Sequence, residues 1–441
     1  MRILIVSYAF PPFNSIGGVR VGKTAKYLLK LGHDVRVLTA QNQPFHPTLP
    51  VELPAERVLY TKSLNLRKPA EVALRKSANA EAESRMPRGG RFKALLKRAL
   101  GFPLRTLVYF PDANVGWLPY AVSAGSSLLQ DWKADLILAS SPPPTSLLVA
   151  HKLARKFNVP WIADMRDLWV DHHYYKQPRW RRAAETKMER RVLSSAAGLV
   201  TVSEPLAETL RAKYGKPTAV VLNGFDITDY PSGSGLVRNN GVVKILYTGA
   251  TYPGGQDPSA LFEALRRLGP LGDKVRVKFY GSFLNTIRET AAAHDVAHVV
   301  EVNAPIPYKE SLKAQTEADI LLLLLWTDPA QRGVYTGKLF EYIGARRPVL
   351  AIGGADCVAA DLIRDRHAGV ILDDPGEIKL QLERWIQMKD QTGGIPRLPD
   401  ESVAGISREE QVAVLEDFLR TTLRHHQTNQ NRSAPGEGAQ V

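Results

Sequence analysis

Short, wholly apolar runs alternate along this chain with stretches whose apolar positions recur every three or four residues. The first kind predicts strands buried on both faces; the second predicts helices with one buried face. In the first half, strands are expected over 2–8, 35–39, 135–139, 159–163, 198–202 and 218–222. Helices are expected near 19–31, 116–130, 145–157, 179–195 and 204–214. In the second half, strands are expected over 244–248, 275–280, 299–302, 320–325, 348–352 and 369–372, ahead of a final helix near 407–424. This alternation predicts an α/β fold with two doubly wound parallel sheets. The expected division is a first domain over 1–228, a Gly/Ser/Asn-containing linker over 229–242, a second domain over 243–400 and a helical segment over 401–424. The polar stretch 425–441 reads as a disordered tail.

Length and composition agree: 441 residues suit two domains of about 200 residues each. No apolar run approaches the ~20 residues that span a bilayer. The first strand carries one basic residue and is too short for a signal-peptide core. The single cysteine, Cys357, excludes an internal disulfide and argues for a reducing cytoplasm. The net charge of +14 is unevenly spread, with twelve Lys/Arg against three Glu between residues 61 and 110. Within that insertion Phe92, Leu95, Leu96 and Leu100 approach helical spacing, with Arg91, Lys93, Lys97 and Arg98 between them. A basic amphipathic helix over 88–105 suits an anionic membrane surface, or simply a solvated rim. Nucleic-acid binding lacks a recognition helix, an aromatic RNA-binding pattern or zinc spacing.

The densest chemistry lies in Gly333 to Gly354. A glycine-flanked loop opens a short helix on which Lys338 and Glu341 stand three residues apart. The helix start, Gly337-Lys338-Leu339, offers free amides and a positive dipole end to a diphosphate. Glu341, one turn in, can accept from a ribose diol. A second glycine-rich turn, Gly249-Ala250-Thr251 to Gly255-Gln256, follows a strand and would approach a phosphate closely. Near the N-terminus, Gly17 to Thr24 matches the phosphate-loop pattern G-x-x-x-x-G-K-[ST]. Ala9 to Ile16, with two prolines, separates it from the preceding strand, and Asp328, a conceivable magnesium ligand, lies in the other array. Asp164, Arg166 and Asp167 cluster at a strand's C-terminal end, where such sheets place ligands. Ser203-Glu204 opens a helix, and Asn223 to Asp226 forms a turn.

Taken in order, these stretches resemble the retaining glycosyltransferases of the family 4, group 1 type. The resemblance implies a GT-B fold, two Rossmann-like domains facing across a cleft, with donor on the C-terminal side and acceptor on the N-terminal side. It implies donor contacts from Gly17, Gly18, Gly249, Thr251, Gly337, Lys338, Leu339 and Glu341. It also implies that Lys338 and Glu341 act in catalysis with Asp164, Arg166 and Asp167, either aspartate being the candidate to position the acceptor hydroxyl. No metal or cofactor is implied. Two departures stand out: Ala250 and Gln256 occupy positions near which many relatives carry Arg and Lys, and the loop Ser140 to Ser146 lacks a histidine that some relatives place there. The implied donor is a nucleoside-diphosphate sugar. With the basic stretch 88–105 on the acceptor side, the expected acceptor is a glycan or polyprenyl-diphosphate-linked sugar, a soluble small molecule being the alternative, and the expected protein is a cytoplasmic, peripherally membrane-bound hexosyltransferase of bacterial surface-polysaccharide assembly. A GT-B sugar-nucleotide epimerase would share the donor site, and a phosphate-loop protein using Gly17 to Thr24 is the more distant alternative.

Overall fold

The structure is a computed structural model that describes residues 1–64, 109–172, 175–231, 241–251, 255–282 and 284–433. Most of the basic insertion, including the expected amphipathic helix over 88–105, lies outside these residues, as does much of the 229–242 linker.

By contacts the chain forms two units. The first opens with β1 (Arg2–Ser7), α1 (Ile16–Lys30), β2 (Asp34–Ala40) and β3 (Val58–Thr61), then α2 (Leu118–Asp131), β4 (Leu136–Ser141), α3 (Thr145–Phe157) and β5 (Trp161–Met165). It continues through α4 (Arg179–Leu193), β6 (Gly198–Thr201), α5 (Glu204–Tyr214) and β7 (Thr218–Val220). The seven strands lie in the order β3-β2-β1-β4-β5-β6-β7. The chain winds one way from β1 to β3 and the other way from β4 onward, which opens a crevice at the C-terminal ends of β1 and β4. Strand β3 was not expected from the sequence. It is a short edge strand paired with β2 and pinned where Trp117 Nε1 donates to Thr61 Oγ1 (2.7 Å).

The second unit holds β8 (Val243–Thr248), α6 (Ser259–Arg267), β9 (Val275–Tyr280), α7 (Asn285–Ala293), β10 (Val300–Asn303), α8 (Tyr308–Glu317) and β11 (Ile320–Leu324). Then come α9 (Gly337–Gly344), β12 (Val349–Ile352), α10 (Val358–Asp365), β13 (Gly369–Ile371), α11 (Pro375–Thr392) and α12 (Asp400–Val403). Strand order is β10-β9-β8-β11-β12-β13, so its crevice opens beyond β8 and β11. Alternation along the central strands feeds two cores. Ile245, Tyr247, Leu322 and Leu324 pack on one face of the sheet, while Leu246, Leu321 and Leu323 pack on the other. Every residue of β11 is therefore out of water, which is why the sequence shows an unbroken apolar run there.

The last helix, α13 (Arg408–Ser433), groups with the second unit up to Val414 and with the first from Leu415. Gly198 admits the Phe418 ring, since a Cβ there would stand 2.8 Å from Cζ. His33 Nε2 meets Glu416 Oε1 at 3.1 Å. The helix runs on to Ser433, into the stretch that composition marked as a disordered tail from 425. Anchored upstream, it extends residue by residue at little further cost.

The phosphate-loop alternative fails on the same geometry. Ile16 already begins α1, so Gly17 to Thr24 is helix, with Ser15 as cap accepting from the Gly18 amide (3.0 Å). A phosphate loop needs those residues unwound around the anion. Lys23 is buried and paired with Glu52 at 2.7 Å, and Asp328 closes its own turn by accepting from the Ala330 amide (2.9 Å).

Candidate active site

In the second unit three of the sequence-expected donor residues, Gly249, Lys338 and Glu341, come together at the β8–β11 crevice. β8 ends at Thr248, and Gly249 turns the chain with φ +123°, a conformation that favours glycine. Its missing side chain also makes room for Lys338: a Cβ on Gly249 would collide with Lys338 Cε. Lys338, in the first turn of α9, lays its ammonium 4.9 Å from the centre of the Tyr247 ring and donates to the Ala250 carbonyl at 3.3 Å. Burial lowers its pKa to about 8, and the nearby Glu341 only partly opposes this. The lysine is thus held in a poorly solvated place with a weak acceptor, a suitable site for an arriving anion to complete.

Glu341 stands one turn further on. Gln315 Nε2 donates to its Oε2 (3.2 Å) and to Thr248 Oγ1 (3.0 Å). The Thr248 amide donates to Tyr342 Oη (3.0 Å), and Tyr230 Oη donates to the Glu341 backbone carbonyl (2.7 Å). Burial raises the Glu341 pKa, opposed by the Gln315 hydrogen bond and by the charge of Lys338. Thr336, which precedes α9, makes no side-chain cap, so the first-turn amides lack that partner. Two expected donor residues turn inward. Leu339 is fully buried in the core, with its amide donating to Thr336 O (3.2 Å), and Thr251 is 1% exposed. Gln256, where a basic residue was looked for, donates to the Leu324 carbonyl (3.0 Å) and ties the glycine-rich turn to β11.

The first unit gathers the other expected group. Gly17 lies in the first turn of α1 with the Arg166 guanidinium seated on it; a Cβ would stand 2.5 Å from Nη1. Arg166 Nη2 donates to the Pro142 carbonyl (2.7 Å). Asp164, 6% exposed, is occupied on both oxygens. Arg20 Nη2 donates to Oδ1 (2.8 Å), while Arg20 Nε (3.1 Å) and Ser140 Oγ (2.9 Å) donate to Oδ2. Burial pushes its pKa up, but the charge and hydrogen bonds of Arg20, the charge of Arg166 and the Ser140 bond outweigh that and hold it low. Asp164 is a braced carboxylate, which makes it a poor proton acceptor. Asp167 is half-buried, with His172 Nε2 3.9 Å away. Asn223 to Asp226 falls in the second unit and forms a structural turn there: Gly224 has φ +63°, and the Arg408 amide donates to the Phe225 carbonyl (2.6 Å).

Sequence reasoning missed Gln315 and Tyr247, which come from α8 and β8 and carry no local motif. The buried pairing of Arg20 with Asp164 was equally hidden, although an arginine shortly after a Gly-Gly pair was in plain view.

Residues 17–224 match the family model for the glycosyl transferase 4-like domain. No curated protein matches the chain in sequence. Among solved structures, Anabaena HepE in complex with UDP-glucose superposes with a TM-score of 0.57 at 13% identity, covering 96% of this chain and 99% of that one. The apo form of the lipopolysaccharide outer core galactosyltransferase WaaB gives 0.54 at 13% identity, with 96% and 99% covered. A UDP-N-acetylglucosamine 2-epimerase gives 0.52 at 13% identity, with 96% of each chain covered. At such identities the structural likeness is one of fold. Residues 17–224 thus carry a glycosyl transferase 4-like domain, in a chain whose two parallel sheets follow the GT-B fold of these solved structures.

Proposed function

We propose that this protein transfers a sugar, with retention, from a nucleoside-diphosphate sugar to a glycan or polyprenyl-diphosphate-linked acceptor on the cytoplasmic side of bacterial surface-polysaccharide assembly. The observation that carries the donor half is the fit of Lys338 over Gly249 at the β8–β11 crevice, with Glu341 one turn away. The donor diphosphate lies against the Gly249 turn and the first turn of α9, where Lys338 takes up the charge that grows on the leaving phosphate. Glu341, held by Gln315, accepts from the ribose hydroxyls. The bond between the anomeric carbon and the phosphate oxygen breaks. The acceptor oxygen attacks from the same face, and its proton passes to the departing diphosphate. Helix amides and Lys338 do the work a divalent cation would otherwise do, so the reaction proceeds in EDTA.

In the first unit Asp167 is the carboxylate left to orient the acceptor hydroxyl, since Asp164 is committed to Arg20 and Ser140. The names of two fold relatives support the class. HepE was crystallised with UDP-glucose, and WaaB is a lipopolysaccharide galactosyltransferase. The test is incubation with UDP-, GDP- and TDP-sugars in EDTA, with and without lipid-linked acceptors, following nucleotide release and anomeric configuration. Conversion of a donor to its epimer without acceptor would instead favour the reading that the epimerase fold relative suggests. Turnover that depends on added magnesium would overturn the metal-free account.

A further inference from the structure

Helices α3 and α4 pack against each other in the first unit, and every charged side chain they expose is a cation. Lys152 and Arg155 stand out from α3, and Arg182, Lys187, Arg190 and Arg191 from α4. α3 contains no acid. α4 contains two, both 1% exposed and both used internally. Glu185 accepts from Arg181 Nε (2.5 Å) and Trp169 Nε1 (3.1 Å), and Glu189 accepts from Lys213 Nζ (2.9 Å). The surface acids that normally intersperse such a helix are therefore missing here.

The cations also form one field. Arg179, Arg182, Lys187 and Arg190 line an open groove with Ala183 and Thr186, a set that falls on one face at about 100° per residue. Arg191 links this face to α3: after burial, the largest influences lowering the His151 pKa are Arg155, Arg191 and Lys152. Trp180, 49% exposed, sits on the flank shared by Lys187 and Arg191. Like charges spaced three and four apart repel on a helix, and among the described residues Arg179, Lys187, Arg190 and Arg191 make no ion pair.

We propose that the exposed face of α3 and α4 docks on an anionic lipid bilayer. A lipid surface supplies phosphates at any register along such a face, and an exposed tryptophan beside cations suits the interface between headgroups and acyl chains. A covering segment from this chain does not fit: residues 65–108 carry eleven Lys/Arg against three Glu, the same sign of charge. Single-stranded nucleic acid would call for several aromatic platforms in a row, whereas Trp180 is the one large exposed hydrophobic side chain among the described residues of α4. The proposal rests on this charge pattern and stands apart from the donor-site reading.

The test is flotation of the full chain with vesicles of phosphatidylcholine alone, and of equal parts phosphatidylcholine and phosphatidylglycerol. The wild type should float only with the anionic vesicles and be released by salt. Replacing Arg155, Lys187, Arg190 and Arg191 together with Gln should weaken flotation at least ~10-fold while leaving UDP binding and the thermal midpoint unchanged, which separates this outcome from any failure of the donor reading. As a second readout, anionic vesicles should blue-shift tryptophan emission in the wild type and less so in Trp180→Phe. Equal flotation of wild type and quadruple variant, equal flotation on both vesicle types, or tighter binding to an RNA oligonucleotide than to anionic vesicles would each overturn the proposal.

Discussion

Lys338→Met should make the protein more stable and a far worse enzyme. Methionine keeps the unbranched stem that packs over Gly249 and Tyr247 but removes the ammonium. The folded protein holds Lys338 near pKa 8 against 10.5 for an unhindered lysine, with burial the main cause. That gap corresponds to about 3 kcal/mol of cost for keeping the charge. The side chain retains some exposure, so solvent screening reduces the expected gain to about 1–2 kcal/mol, or a few degrees in Tm. The pH dependence follows from the sign of the shift. Between pH 8 and 10.5 the unfolded chain binds the proton that the folded one has released, so wild-type stability rises with pH across that window. The advantage of the Met variant should therefore be full below pH 8 and fade as pH approaches 10.5. Donor kcat/KM should fall by about 10²–10³, and in the wild type it should decline above pH 8 as the lysine loses its charge. Thermal melts of both proteins across this range, run beside donor kinetics, test all three statements. A variant less stable than wild type at neutral pH, a difference indifferent to pH, or undiminished transfer would refute the reasoning.

Glu341→Gln should lower donor kcat/KM by roughly 10–100-fold, as a charged hydrogen-bond partner of the ribose is lost, with little change in Tm; unchanged donor kinetics would remove Glu341 from the site. Gly249→Ala should cost on the order of 1–3 kcal/mol from the strained φ, displace Lys338, and be visible in both denaturation and donor binding. Arg20→Met should destabilise by about 3–5 kcal/mol because it leaves Asp164 buried and unpaired. The Arg20→Met, Asp164→Asn double variant should recover much of that loss, and a double variant no better than the single one would show that the brace is not what Asp164 does. Asp167→Asn should slow transfer to acceptor while sparing both Tm and UDP affinity, a pattern that steady-state kinetics and calorimetry can check together.

The sequence was most legible where local pattern and tertiary burial agree. Ile320–Leu324 announced itself because a central parallel strand buries both faces. β3 did not, because Val58–Thr61 is a strand only by pairing with β2 at the sheet edge. The start of α1 was misplaced because two prolines and a Gly-Gly pair read as loop. A Ser15 cap and the burial of Gly17 and Gly18 under Arg166 and the preceding turn override the weak helix propensity of glycine. The site divides the same way. Lys338 and Glu341 could be found because helix spacing puts them on one face of one short element. Tyr247 and Gln315, which set the environment of that pair, arrive from other elements through the strand order.

Asp164 and Asp167 show where such reading runs out. They lie three residues apart at the end of one strand, of the same chemical type, and nothing in their neighbourhood of the sequence ranks one above the other. What separates them is an arginine 144 residues upstream of Asp164 that binds both of its oxygens. Because a carboxylate held ionised by a buried guanidinium has little tendency to take a proton, the fold assigns Asp164 to holding α1 against β5. Asp167, half-buried beside His172, is the carboxylate proposed above to orient the acceptor. The chemistry of a strand end is thus decided by which partner the sheet order brings to it, and that partner can stand anywhere in the chain.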